Sequence, residues 1–464
     1  MPTSLVLAGV GLHAEHAYLP LIRERVAAGR LRLTAVVDVA GRGERVRRVL
    51  GALGLTVPQV ILLDEAQAVG EAAVPALDAL AEAGLVDGAV VATDPRHHLH
   101  YLEWAAAHGL PALVDKPLTA RALDFTDAAA LSLLDDFHRV GKLFADGPAD
   151  ATVMVPRRCH PGLVYLRDTL HSAVRRLGVP LTHLDVYHSS GYWNMPDEFL
   201  TRDNHPYRHG YGALLHSGYH FVDLAAQLLD LNRTAAPEAQ TDRIEVGARY
   251  ATPADVLAQV PRSFYERAGI GDGLDAAFSA DGLRAAERCG ETDLQLTVTG
   301  LRAGRTLTLG GLRLLETGTS HRSWRKLPAD TYKGNGKFAQ DRISAHVGHL
   351  LGLHAWDESD GTGRRFVVEV TRNSALIGGE AVTRRTFEPA AARPGGPVES
   401  LSVQGKRTLF QRWLDGRTQG LGLATHETSI QLLVAAYQAM FRHRRGEAAL
   451  ASFVPAPGPG TEAR

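Results

Sequence analysis

The chain has 464 residues and a mass of about 50 kDa, more than one hydrophobic core usually serves, which excludes a lone small binding module. Its 45% hydrophobic and 22% charged residues exclude both wholesale disorder and a membrane-embedded bundle. With 50 basic against 51 acidic residues the net charge is -1, so no field draws the chain to nucleic acid or to an anionic membrane, and the expected partner is a small molecule.

In chain order, residues 5–9, 33–38 and 88–93 are short apolar runs that end in glycine, acid or threonine, as buried parallel strands do. Helix-like stretches at 71–83 and 99–108 lie between them and end at Gly84 and Gly109. Residues 112–114 predict a further strand, stopped by Asp115-Lys116-Pro117, and 151–155 the last strand of the set. Strand and helix in alternation predict a parallel sheet wrapped by helices. Pro161 opens a helix to about residue 176, which places a domain boundary nearby. Beyond it, residues 182–188, 243–250, 292–301, 305–309 and 364–370 are strand-like and separated by long loops, which predicts a mostly antiparallel sheet. Residues 428–444 form an amphipathic helix, and the proline-rich end cannot form one. The expected fold is an α/β Rossmann domain over 1–157, an α+β domain with a large open sheet over 158–452, and a flexible tail over 453–464. Segments 131–147 and 332–396 fit no element of this plan, and His346, His349 and His354 in the latter are expected on a solvated or packed helix.

Only Cys159 and Cys289 are present, which gives neither a disulfide framework nor a CxxC pair and suits a cytoplasmic protein. The start has no basic n-region and its apolar run breaks at glycines, so neither a signal peptide nor a membrane span is expected there. The basic residues comprise 6 Lys and 44 Arg, so each lysine stands out.

Gly9-Val10-Gly11-Leu12-His13-Ala14 follows the first strand and precedes a helix, where a G-x-G-x-x-A turn must lie to bind a dinucleotide. Gly9 permits the tight turn, Gly11 lets the pyrophosphate approach the backbone, and Ala14 lets helix and strand pack closely. Asp38 ends the second strand 27 residues after Gly11, where a carboxylate accepts ribose hydroxyls and repels a 2′-phosphate, favouring NAD. Arg42 and Arg45 lie near enough to leave NADP open. Thr93 follows at the end of a later strand with His98 soon after it, and Asp115 and Lys116 come at the end of another strand, Asp115 17 residues beyond His98. Oxidising an alcohol, or reducing a ketone, needs a group to move the hydroxyl proton, a cation to polarise the oxygen and a nicotinamide within hydride reach. Lys116 and His220 suit the first two tasks, provided they converge beside the nicotinamide. His216 and His220 stand at i and i+4, but no H-E-x-x-H motif accompanies them and no metal is expected. Tyr187, Trp193, Tyr207 and Tyr211 form an aromatic-rich stretch suited either to stacking on a substrate ring or to core packing.

Four stretches, the glycine turn, Asp115-Lys116-Pro117, Pro156-Arg157-Arg158-Cys159-His160-Pro161 and Gly210 to Asp223, together resemble the Gfo/Idh/MocA family of NAD(P)-dependent oxidoreductases. The resemblance implies Lys116 and His220 as catalytic residues and Gly9, Gly11, Leu12, His13, Asp38, Thr93, His98, Asp115 and Lys116 as cofactor-binding. It implies His216, Tyr219, Asp223 and Arg158 as substrate-binding, and a homo-oligomer as the assembly. Two positions depart from the family pattern: Asp115 stands for its usual glutamate, and His216 for its usual aspartate, which puts the ordinary mode of polyol recognition in doubt. The implied activity is hydride transfer between NAD(P) and a carbinol or ketone carbon of a sugar, cyclitol or related polar metabolite. An NAD-retaining lyase, hydrolase or epimerase using transient oxidation, and a non-catalytic cofactor-binding regulator, are the alternatives.

Overall fold

In the computed structural model, residues 2–68, 70, 72, 74–202, 205–271, 273–322, 336–359, 364–391 and 396–455 are described, and the chain divides into two compact units. The first comprises Met1–Arg121, Leu133–Cys159 and Val403–His426; the second comprises Ala122–Ser132, His160–Ser402 and Glu427–Arg464. The first unit therefore takes in residues 403–426, which the sequence reading assigned wholly to the second domain. The expected tail lies outside the described residues from 456 onward; ahead of it, Leu450–Phe453 is a strand. Among the described residues no helix is long and apolar enough to cross a membrane.

The first unit is built on six parallel strands, β1 (Thr3–Ala8), β2 (Leu31–Val39), β3 (Gln59–Leu63), β4 (Gly88–Val91), β5 (Ala112–Asp115) and β6 (Ala151–Met154), in the order β3-β2-β1-β4-β5-β6. Strands covered by helices on both faces have no solvent side, which is why Leu5, Val6, Leu7, Val36, Val37, Val90 and Val91 run without polar alternation and are at most 1% exposed. The strand order reverses between β1 and β4, and that reversal opens a crevice at the carboxyl ends of the strands. Helices Leu12–Ala17 and Leu19–Ala27 follow β1 and are separated at Tyr18, because Pro20 has no N–H to continue the first helix. Returning from the second unit, the helix Leu401–Leu414 sets Leu409, Phe410 and Trp413 into the same core as Leu5, Leu7 and Val36.

The second unit is built on a nine-stranded sheet. Its members are β7 (His183–Ser189), β8 (Arg243–Ala251), β9 (Asp293–Arg302), β10 (Arg305–Leu315), β11 (Gln340–Val347), β12 (Leu351–Ser359), β13 (Arg364–Arg372), β14 (Val382–Phe387) and, after the two-residue pair β15 (Ala390–Ala391) and β16 (Val398–Glu399), β17 (Leu450–Phe453). The order is β14-β13-β12-β11-β7-β10-β9-β8-β17, antiparallel throughout except between β7 and β10. Period-two alternation divides its faces. Leu184, Val186, Leu296, Val298, Leu312, Ile343 and Leu353 face the core, where helices Pro161–Leu177, Tyr219–Asp230 and Glu427–Arg444 pack. Asp185, Tyr187, Arg313, Arg342, His354 and Trp356 line a depression of about 650 Å³ on the sheet.

Three expectations are corrected here. His346 and His354 lie on β11 and β12, not on a helix; small outward residues such as Ser344 weaken the apolar alternation that marks these strands. Residues 131–145 of the unassigned segment 131–147 lie in the helix Asp127–Ala145. Between β8 and β9 the chain is helical, at Pro253–Gln259, Arg262–Arg267 and Ala280–Glu287, rather than a long loop.

Candidate functional site

The candidate nucleotide site lies in the first unit, at the strand reversal. Gly9 has φ +89°, and a Cβ there would come within 2.6 Å of the Ala92 carbonyl oxygen, so the turn after β1 can press against the end of β4 only as glycine. At Gly11 a Cβ would meet no atom within 4 Å, which leaves the open approach that a pyrophosphate needs. Asp38, 8% exposed at the end of β2, has one carboxylate oxygen accepting the Val10 N–H at 2.9 Å and the other accepting the Val39 N–H at 2.8 Å. This acid therefore shapes the glycine turn and still has lone pairs for a ribose hydroxyl. Arg45 is committed elsewhere: it bonds the Val10 carbonyl and pairs with Glu15 at 2.6 Å. Arg42 is exposed on the turn Ala40–Arg42.

Lys116 follows β5 directly, and the Lys116–Pro117 bond is cis. Its backbone N–H donates to Asp115 Oδ1 at 2.9 Å, while Asp115 Oδ2 lies 3.3 Å from His13 Nε2. Burial pushes the Asp115 carboxyl up, but His13, Lys116, His98 and Lys406 together hold it below the usual carboxylate range. Asp115 therefore carries negative charge at neutral pH. His98, expected to touch cofactor, is wholly buried; its Nδ1 lies 3.1 and 3.2 Å from the carbonyl oxygens of Pro117 and Leu118, and its Nε2 lies 3.2 Å from that of Thr93. Burial lowers its pKa against the pull of Asp115 and these carbonyls. It staples the end of β4 to the turn after Lys116 from below. The turn is held further on by Asp136, whose carboxylate accepts Thr119 Oγ1 at 3.3 Å and the Arg121 guanidinium at 2.8 and 2.5 Å.

In the second unit, His220 lies in the first turn of the helix Tyr219–Asp230 and is partly exposed. The bend before it is set by Glu291. The Glu291 carbonyl accepts the Ala213 N–H at 2.8 Å, and its carboxylate accepts the Leu214 N–H at 2.7 Å and the Tyr437 hydroxyl at 3.3 Å. Burial pushes this carboxyl up to about 7. Below the helix, Phe221 stacks on His188 at 4.0 Å, and His188 Nδ1 lies 2.7 Å from Asp341, a pair of which each side chain is 6% exposed.

The residues expected to bind substrate are placed as follows. The helix begins at Tyr219, so His216 precedes it and does not share a helical face with His220. His216 is 7% exposed, stacked on His205 at 4.7 Å, edge-on to Tyr211, and its Nε2 lies 3.1 Å from the Pro206 carbonyl. Tyr219 is fully buried core, and the Asp223 carboxylate accepts Ser429 Oγ at 2.8 Å and Gln227 Nε2 at 2.7 Å. Arg158, 3% exposed, bonds the Gly420 carbonyl at 3.0 Å and both the hydroxyl and the carbonyl of Thr425. Tyr207 and Tyr211 are buried, and Trp193 stacks on Phe264, so packing accounts for these three aromatics. The sequence reading missed Glu291, His188, Asp341 and Lys406. A buried-acid signal exists at Glu291, which sits in Cys289-Gly290-Glu291-Thr292 at the entry to a strand.

A six-stranded parallel sheet with a glycine turn at its reversal and, in the same chain, a nine-stranded and mostly antiparallel sheet make a fold that several solved oxidoreductases share. Among solved structures, an oxidoreductase from Agrobacterium radiobacter in complex with NAD+, L-tartaric acid and magnesium is 15% identical with a TM-score of 0.60, covering 98% of each chain. The WlbA dehydrogenase from Bordetella pertussis in complex with NADH and UDP-GlcNAcA is 14% identical with a TM-score of 0.54, covering 99% of this chain and 100% of that one. KijD10, a 3-ketoreductase from Actinomadura kijaniata in complex with NADP and TDP-benzene, is 14% identical with a TM-score of 0.54, covering 94% and 97%. No family model and no curated protein matches the sequence.

Proposed function

We propose that this protein is an NAD(P)-dependent oxidoreductase that moves a hydride between nicotinamide and a carbinol or ketone carbon of a sugar, cyclitol or related polar metabolite. The observation that carries the reading is the Gly9–Gly11 turn at the strand reversal, with Asp38 at its back and Lys116 at the end of β5. The open approach at Gly11 fits a dinucleotide, and Asp38 favours NAD over NADP, since a carboxylate beside the ribose repels a 2′-phosphate. Solved proteins of the same fold were crystallised with NAD+, NADH or NADP, which supports the cofactor class. Bound nicotinamide would accept or supply the hydride. Lys116 polarises the substrate oxygen, and His220 takes or returns the hydroxyl proton, a task its imidazole suits near neutrality. His98 and Asp115 hold Lys116 rather than touch substrate.

The cytoplasm is the proposed location, and a homo-oligomer the proposed assembly. The sheet face that bears Asp185, Arg313, Arg342 and Trp356 carries both signs of charge, which lets one copy complement another across a twofold axis.

The test is Lys116→Ala assayed for NADH oxidation against a panel of keto-sugars. Turnover on the wild-type substrate is expected to fall by about 10²-fold or more while NADH binding persists. Unchanged turnover refutes the assignment, and product formed without net change in nicotinamide absorbance moves the protein to the redox-neutral class.

A further inference from the structure

His13 is the fifth residue of the turn Gly9–Ala14, and its ring meets Asp115 rather than solvent alone: Nε2 lies 3.3 Å from Oδ2, with the two side chains 30% and 15% exposed. The other oxygen of the same carboxylate accepts the Lys116 N–H. One acid thereby joins the loop that would receive the dinucleotide to the turn that presents the ammonium.

The charged and titratable groups acting on that acid come from four segments. His13 comes from the turn after β1, Lys116 from the end of β5, His98 from the helix His98–Ala107 beneath, and Lys406 from the helix Leu401–Leu414. The last helix is fixed in place by Leu409 and Phe410 in the core and by Arg407, which pairs with Glu24 at 2.6 Å. Two of the chain's 6 lysines thus act on one carboxylate. Of these four groups, His13 is the histidine whose side chain is partly exposed, at 30%, whereas His98 is wholly buried, and an imidazole is the side chain that can change charge near neutral pH.

Resting on the cofactor reading above, we propose that His13 is a proton-linked positioning residue for the dinucleotide. As imidazolium it closes on Asp115 and adds a positive charge to the turn that takes up the pyrophosphate; as neutral imidazole it gives up that charge and slackens the tie to the Lys116 turn. Cofactor binding is therefore tighter on the acid side of the histidine range and weaker on the alkaline side. By reciprocity, dinucleotide binding draws a proton onto the protein between these limits.

The test is a fluorescence titration of NADH against the full-length protein from pH 5.5 to 8.5, repeated on His13→Gln, His13→Lys and Asp115→Asn, with NADPH in parallel. Wild-type affinity is expected to fall about fivefold or more across the range. His13→Gln should flatten the profile to within about twofold. His13→Lys, charged throughout, should hold the low-pH affinity up to pH 8.5, an outcome a merely structural role would not produce. Asp115→Asn reads the same slope from the other side of the pair if a His13 variant fails to fold. A flat wild-type profile, or His13→Gln keeping the wild-type slope, overturns the proposal. A wild-type protein that binds neither NADH nor NADPH at any pH instead overturns the cofactor reading on which it rests.

Discussion

Asp38 and Glu291 are both buried acids that hold a backbone turn, and they differ in what surrounds them. Asp38 accepts two backbone N–H groups, those of Val10 and Val39. Asp38→Ala leaves the Val10 donor without its buried acceptor, a cost of about 1–3 kcal/mol, and removes the ribose partner as well. Lowered NAD+ affinity with a lowered melting temperature is the expected joint outcome, checked by calorimetric binding and thermal unfolding. Glu291 is pushed by burial to about 7 from an ordinary 4.5. A carboxyl with a raised folded-state pKa binds more protons folded than unfolded, so its burden is absent below about pH 4.5, grows as pH rises, and is complete above about pH 7. Glu291→Gln keeps an acceptor for the Leu214 N–H and removes the charge. It is expected to stabilise the protein above pH 7 by on the order of 2–3 kcal/mol and to flatten the pH dependence of denaturant midpoints between pH 5 and 7. A variant less stable than wild type at pH 8 would show that the ionised carboxylate is needed.

The bend from Gly210 to Gly218 is the element that delivers His220, and its glycines are required by contact rather than by φ alone. A Cβ on Gly212 would sit 1.9 Å from the Glu291 carbonyl oxygen, and one on Gly290 would sit 2.0 Å from the Tyr211 carbonyl carbon. Both neighbours are backbone and cannot swing aside. Gly212→Ala is therefore expected to destabilise by about 3 kcal/mol or more and to cost activity even where the protein stays folded, read by denaturant melts beside turnover. Elements of this kind explain what was legible beforehand. The glycine turn, Lys116 before Pro117 and most core strands announce themselves through chemistry confined to a few consecutive residues. Strand β3 escaped notice because it is five residues long and follows Pro58. Strands β11 and β12 escaped because one face is exposed and bears His346, His354 and Ser344 among few bulky apolar side chains. The buried groups that hold the bend before His220 were illegible for a different reason: Glu291 meets Leu214 across 77 positions, and no local pattern encodes such a meeting.

At the scale of the molecule, the first unit is discontinuous, and Arg158 holds the returning segment. Its guanidinium, 3% exposed, serves the Gly420 carbonyl and two groups of Thr425. Arg158→Ala would strand those acceptors, and a loss of about 3 kcal/mol in the stability of the first unit is expected, visible as earlier unfolding in denaturant. The same segment places Lys406 where it acts on Asp115, which no reading of residues 1–157 as a self-sufficient domain could anticipate. The early chain lacks Leu409, Phe410, Trp413 and Leu421, all members of the core formed around β1 and β2.

A nascent chain of this protein meets that arrangement in time as well as in space. When the ribosome has made the nucleotide-binding strands, the residues that seal their hydrophobic surface are still some 250 codons away, a delay of about 13–50 s at 5–20 residues per second. During that interval the exposed patch is a natural client surface for chaperones, and a polypeptide stopped near residue 400 should aggregate or bind hydrophobic dyes where the full-length chain does not.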